Sequence, residues 1–89
     1  MIRSSITISN KLGLHARASA KLTKLAGGFA CNIHLTRNGR RVNAKSIMGV
    51  MMLAAGLGSV VEIEADGADE HEAVMALSSL VESKFGEGE

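Results

Sequence analysis

The chain has no tryptophan and no tyrosine, and its only aromatic residues are Phe29 and Phe85. Unpaired nucleic-acid bases are recognised largely by stacking on aromatic side chains, so this scarcity argues against an RNA-binding platform. It also leaves the core to aliphatic side chains and the five methionines. A lone cysteine, Cys31, rules out an internal disulfide and points to a reducing, cytoplasmic setting. No apolar run is long enough to span a membrane, and the opening MIRSSITIS lacks the apolar stretch of a signal peptide. Neither sign of charge dominates: ten Lys and Arg stand against nine Asp and Glu, which gives no general attraction to nucleic acid or anionic lipid. His34 and His71 lack metal-ligand spacing to His15 or Cys31. No Ser-His-Asp set, paired-carboxylate site or glycine-rich nucleotide loop is present, so neither a metal nor a cofactor is expected.

What remains is an ordinary globular composition, 46% apolar, in a chain of 89 residues. It reads as one small domain over 1–89, with 86–89 a frayed tail. Ile2, Ile6 and Ile8 share one face of a first strand. A turn over Ser9–Gly13 leads to a helix after His15, with Ala18, Leu22, Leu25 and Ala26 on one side. Gly27-Gly28 is expected to end it in the left-handed conformation open to glycine. Cys31, Ile33 and Leu35 alternate with Asn32, His34 and Thr36 in a second strand that has one wet face. Asn38-Gly39 is a hairpin turn into a short strand, Arg40–Asn43. A short helix over Lys45–Leu53 has Ser46 as its N-cap. After Gly56 and Gly58 comes a strand with Val61, Ile63 and Ala65 on one side. Asp66-Gly67 turns into a last helix, Asp69–Lys84, with Ala73, Val74, Leu77, Leu80 and Val81 inward. The order β-α-β-β-α-β-α, with one apolar sheet face under helices, is a two-layer α+β sandwich.

The one stretch that suggests chemistry is LGLHARASAKL, Leu12 to Leu22. A helix starting at His15 aims its unpartnered first-turn N–H groups and positive end at whatever lies beside that histidine. Those donors suit an anion, and the forked guanidinium of Arg17 suits phosphate oxygens. An imidazole beside such a site is a candidate phosphoryl acceptor, reacting through its neutral form. Spacing alone favours the plainer reading of a surface histidine near a helix start, and leaves a solvated Arg17 as an alternative.

A resemblance adds to this. GLHARASA, Gly13 to Ala20, resembles the active-site signature of the HPr family, the histidine-containing phosphocarriers of the phosphoenolpyruvate-dependent phosphotransferase system. NGRRVNAKSIMGVMML, Asn38 to Leu53, resembles that family's regulatory-serine segment and the short helix after it. GADEHEAVMAL, Gly67 to Leu77, is similar to the start of its last helix. The resemblance implies an antiparallel sheet ordered 1-4-2-3, an open-faced sandwich with three helices on one face. It implies phosphorylation of His15 at Nδ1, Arg17 as phosphate support and Ser46 as a regulatory phosphoserine. It further implies a stoichiometric carrier, rather than an enzyme with its own turnover, acting between Enzyme I and an Enzyme IIA component in sugar transport. An HPr kinase/phosphorylase is the implied partner at Ser46, and a monomer is the default for a carrier that must expose its site to successive partners.

Two further readings stand beside it. One is a nitrogen-related or purely regulatory relay without sugar import. The other is a binding-only regulator that acts through phosphorylated Ser46, against which His15 and Arg17 both argue. In the family the short helix and the start of the first helix form one docking face, here Ala16, Ala18, Ile47, Met48 and Met51. About half of the apolar side chains of that short helix are expected in the core, the rest in a Met-rich patch. Lys24, Arg40, Arg41 and Lys45 are candidates for its basic rim. One departure stands out: Ala18 occupies a position where the family usually has proline.

Overall fold

A computed structural model describes residues 1–86. The chain forms β1 (Ile2–Thr7), α1 (Ala16–Gly27), β2 (Asn32–Arg37), β3 (Arg40–Asn43), α2 (Ile47–Met52), β4 (Val60–Asp66) and α3 (Glu70–Glu82), followed by a 3-10 turn, Lys84–Gly86. The four strands make one antiparallel sheet in the order β1-β4-β2-β3. The elements read from periodicity are all present, and the strand order is the one implied by the resemblance.

Register explains the layers. Ser4, Ile63, Leu35 and Val42 lie in one cross-strand row, and Ile2, Ala65 and Ile33 in the next on the same face. Onto this face α1 places Ala18, Leu22 and Ala26, α3 places Ala73, Leu77 and Val81, and α2 places Val50, all buried. The opposite face carries the rows Arg3–Glu64–His34–Asn43 and Ser5–Glu62–Thr36–Arg41. There Arg41 Nη2 donates to Glu64 Oε2 at 3.3 Å, which partners a carboxylate that the central strand largely removes from water.

Several expectations are corrected. No methionine enters the core: Met1, Met48, Met51, Met52 and Met75 are all exposed. The space goes to stiffer branched side chains and to Phe85, the largest fully buried residue. Likewise Ile47, Met48, Met51 and Met52 all lie outside, because a six-residue helix turns only Val50 inward. Helix α1 does end at Gly27-Gly28, but Gly28 has φ −78°, so a right-handed turn closes it: Gly28 N–H and Phe29 N–H donate to the carbonyls of Leu25 and Ala26. Helix α3 stops at Glu82, two residues before the expected end. Of the expected frayed tail, Gly86 donates its N–H to Ser83 O at 3.0 Å, and residues 87–89 lie outside those described.

The start of α3 is tied to β2 by a carboxylate. Asp69 accepts from Ala30 N–H (2.8 Å) and Cys31 N–H (2.9 Å), which is why it does not cap its own helix. The Ala30 N–H, followed by the Cys31 groups, holds the Asp69 carboxyl below its ordinary value of 3.8. A depressed folded-state pKa contributes stability that is complete above the ordinary value and lost as pH falls through the folded one. Asp69→Asn keeps only one acceptor oxygen. Its thermal midpoint should lie below the parent's at neutral pH, and the gap should narrow below pH 3.8. A gap that is constant from pH 6 to pH 2 would remove the charge from this account.

Candidate functional site

The segment between β1 and α1 is pinned by hydrogen bonds at Ile8, Asn10, Gly13 and Leu14. Pairing continues past β1 as Ile8 N–H donates to Ser59 O and Gly58 N–H to Ile8 O, each at 2.8 Å. Asn10 is buried and donates from Nδ2 to Gly13 O at 2.8 Å, while Gly13 N–H donates to Asn10 O at 3.2 Å. Gly13 has φ +64°, and a Cβ there would collide with the carbonyl of Ala55 and the backbone of Gly56. Leu14 N–H then donates to Ala55 O (2.8 Å), and Ser19 Oγ to Leu14 O (3.0 Å). The chain therefore reaches His15 with no slack.

His15 is the N-cap of α1, with an extended backbone (φ −73°, ψ 178°), and its side chain makes no capping hydrogen bond. The helix ladder opens with Ser19 N–H to His15 O at 2.8 Å, so the N–H groups of Ala16, Arg17 and Ala18 precede its first rung. The histidine is half-buried and lines an open depression of about 680 Å³ with Lys11, Arg17, Lys21, Leu12, Ala16 and Gly86. Three cations beside an imidazole and a helix N-terminus make a surface suited to a phosphoryl group and its charge. Arg17 is exposed. Lys11, Lys21 and Gly86 were not picked out from sequence. Lys21 lies one helical turn after Arg17, a spacing that carries the signal, whereas Gly86 arrives only through tertiary structure.

Ser46 is the N-cap of α2, exposed, with Oγ accepting from Gly49 N–H at 3.3 Å. The C-terminal end of α2 is capped from the hairpin, where Arg37 and Arg40 each donate at 3.1 Å to the carbonyls of Leu53 and Met52. Helices α1 and α2 pack together, and the segment after α2 holds the one before α1 through Ala55. Around this junction Ala16, Ile47, Met48 and Met51 are exposed, Met48 at 68%. Ala18 does not belong with them. It is 0% exposed, because its position in the first turn faces the sheet. Of the expected basic rim, Lys45 donates to Phe29 O (2.7 Å), Arg40 to Met52 O and Arg41 to Glu64, so these three tie the fold together. Lys24 sits exposed in the last turn of α1. His34 is on the open sheet face and His71 in the first turn of α3.

A protein-family model described as the PTS HPr component phosphorylation site matches residues 2–83. The chain belongs to the HPr family. It is therefore assigned as a phosphocarrier of the phosphotransferase system. It is 64% identical, over the full length of both chains, to the phosphocarrier protein HPr of Cupriavidus necator. Among solved structures, HPr-C-His from Thermoanaerobacter tengcongensis superposes with a TM-score of 0.95 at 48% identity, over 98% of each chain. An HPr dimer from the same organism matches with a TM-score of 0.79, also at 48% identity, over 98% of this chain and 100% of that one. Among the described residues no helix is long and apolar enough to cross a membrane.

Ala18 N–H makes no hydrogen bond among the described residues, and the position lies in the first helical turn. Ala18→Pro should therefore be tolerated and raise stability by roughly 0.4–1 kcal/mol in urea unfolding, since proline restricts the unfolded chain. A loss of stability would mean that the core around this buried alanine has no room for the ring.

Proposed function

We propose that the chain is a single phosphocarrier domain that takes a phosphoryl group from phospho-Enzyme I onto Nδ1 of His15 and passes it to an Enzyme IIA component. The carrying observation is the placement of His15 at a helix N-terminus, its imidazole opening into a depression rimmed by Lys11, Arg17 and Lys21. In the transfer, the phosphorus–nitrogen bond to the donor breaks as the bond to His15 forms. The first-turn N–H groups and Arg17 hold the charge of the phosphoryl group in flight. The depression is open, so partners of different shape can reach the same atom.

The docking face is Ala16, Ile47, Met48 and Met51, flexible thioethers being suited to successive partners. The setting is cytoplasmic and the working form a monomer that exposes this face. The relay serves sugar uptake, with a nitrogen-related relay distinguished by which Enzyme IIA accepts the group. Ser46 is the regulatory position, modified by an HPr kinase/phosphorylase. Helix α2 has six residues and is about 9 Å long, so a charge at Ser46 stays within reach of the whole docking face.

Incubation with phosphoenolpyruvate and Enzyme I should add one acid-labile phosphoryl group to the parent and none to His15→Ala, read by intact mass. Arg17→Ala should transfer roughly tenfold more slowly, less than the roughly hundredfold or greater loss of a preorganised, water-excluded donor because the side chain is exposed. A His15→Ala variant that gains the same mass would overturn the assignment.

Phosphate on Ser46 adds about −1.5 to −2 charges at a helix N-terminus, which favours the helix while burdening association. Ser46→Asp should keep the parental unfolding midpoint and bind Enzyme I several-fold more weakly, with the phosphorylated form weaker still. Calorimetric affinities equal across the three forms would leave Ser46 as a helix cap alone.

A further inference from the structure

Lys84, Phe85 and Gly86 have φ of 57°, 56° and 74°, three successive left-handed residues of which two carry a Cβ. Such backbone persists only where its surroundings over-determine it, and it gathers at functional sites. Three contacts hold it here. Phe85 is 1% exposed within the core, Gly86 N–H donates to Ser83 O, and Lys21 Nζ donates to Phe85 O at 2.6 Å. The last is a short, charge-assisted bond from the helix that presents His15. Gly86, the last residue of the turn, lines the depression together with His15 and Arg17.

The core does not need this bond, since Phe85 is anchored by its own burial and Lys21 is exposed. We infer that Lys21 is a positioning residue for phosphoryl transfer: through the Phe85 carbonyl it fixes the left-handed turn as a wall of the His15 depression, and so limits the access of water to phosphohistidine. This rests on His15 being the acceptor. A carrier must keep its phosphorus–nitrogen bond until a partner arrives, and water is the competing acceptor. A wall tethered to α1 protects that bond without burying the phosphoryl group that the next partner has to reach.

The turn can be loosened in two unrelated ways. Lys21→Met keeps the stem and removes the donor, and Lys21→Arg keeps a donor. Gly86→Ala leaves the core alone, because among the described residues the nearest atom to the new Cβ is Lys21 Nζ at 3.8 Å, but puts a side chain on a left-handed backbone. Each full-length protein would be phosphorylated with phosphoramidate, needing no partner: the reagent's phosphorus–nitrogen bond breaks, the imidazole bond forms, and ammonia leaves with the displaced proton. Phosphorus NMR then follows the loss of phosphohistidine at neutral pH. Lys21→Met and Gly86→Ala should shorten its half-life by roughly threefold or more, with Lys21→Arg near the parent, as expected when one wall of an open depression no longer holds water back. Thermal midpoints should stay within a few degrees of the parent's throughout. Parental half-lives in Lys21→Met and Gly86→Ala would overturn the inference, as would a lifetime in Lys21→Arg as short as in Lys21→Met. A parent that takes no phosphoryl group on His15 would overturn the acceptor assignment and this inference together, so the two failures appear in different samples.

Discussion

The presentation of His15 depends on one backbone contact, the approach of the Gly13–Leu14 segment to the carbonyl of Ala55. Leu14 N–H donates to that carbonyl, and the absence of a side chain at Gly13 lets the two strands of chain come close enough. The contact does two things together. It stops the β1–α1 segment short, so that α1 begins with His15 as its extended N-cap. It also fastens the end of the Ser46 helix to the loop that carries His15, so that two segments far apart in sequence share one surface. A longer or looser connection would leave the imidazole with several positions, and a transfer site needs its reacting atom held in one.

Helix α2 is the second dependent part. Six residues cannot hold a helix by propensity, so its form is imposed from outside. Ser46 satisfies one first-turn donor, Arg37 and Arg40 satisfy carbonyls at the other end, and Val50 is the only residue it buries. That arrangement leaves Ile47, Met48, Met51 and Met52 outside. A surface this apolar on so short an element is costly in water unless partners cover it. Because no methionine serves the core, the soft side chains are concentrated where shapes must adapt, while branched residues and Phe85 make the interior rigid.

The charged residues divide in a way that composition conceals. Arg37, Arg40, Arg41, Lys45 and Lys21 all have acceptors within the fold: carbonyls at helix ends, a central-strand carboxylate and the C-terminal turn. A net charge near zero therefore coexists with a local cationic rim around His15. It is the rim, and not the total, that sets the local charge beside the imidazole.

The sequence by itself determined the elements and marked His15 as the candidate acceptor. Period-two alternation in Ile33 and Leu35 and in Val61, Ile63 and Ala65, the Asn38-Gly39 turn, and the apolar stripes of α1 and α3 are local signals, and each local signal matched its element. The motif around His15 and the serine at the start of α2 were legible for the same reason, since a helix start is decided by its neighbours in the chain. Tertiary structure alone decided which side chains each element spends inside. It turned the methionines out, because the volume left between a four-stranded sheet and two long helices was already filled, and for Ala18, which the sequence set both on the apolar side of α1 and on the docking face, it decided for the inside. It also closed α1 without a left-handed glycine and put left-handed backbone at Lys84 and Phe85 instead. There a buried aromatic ring and a lysine 64 residues away outweigh the local preference of the chain, and a sum of distant contacts of that kind has no signature in the order of residues.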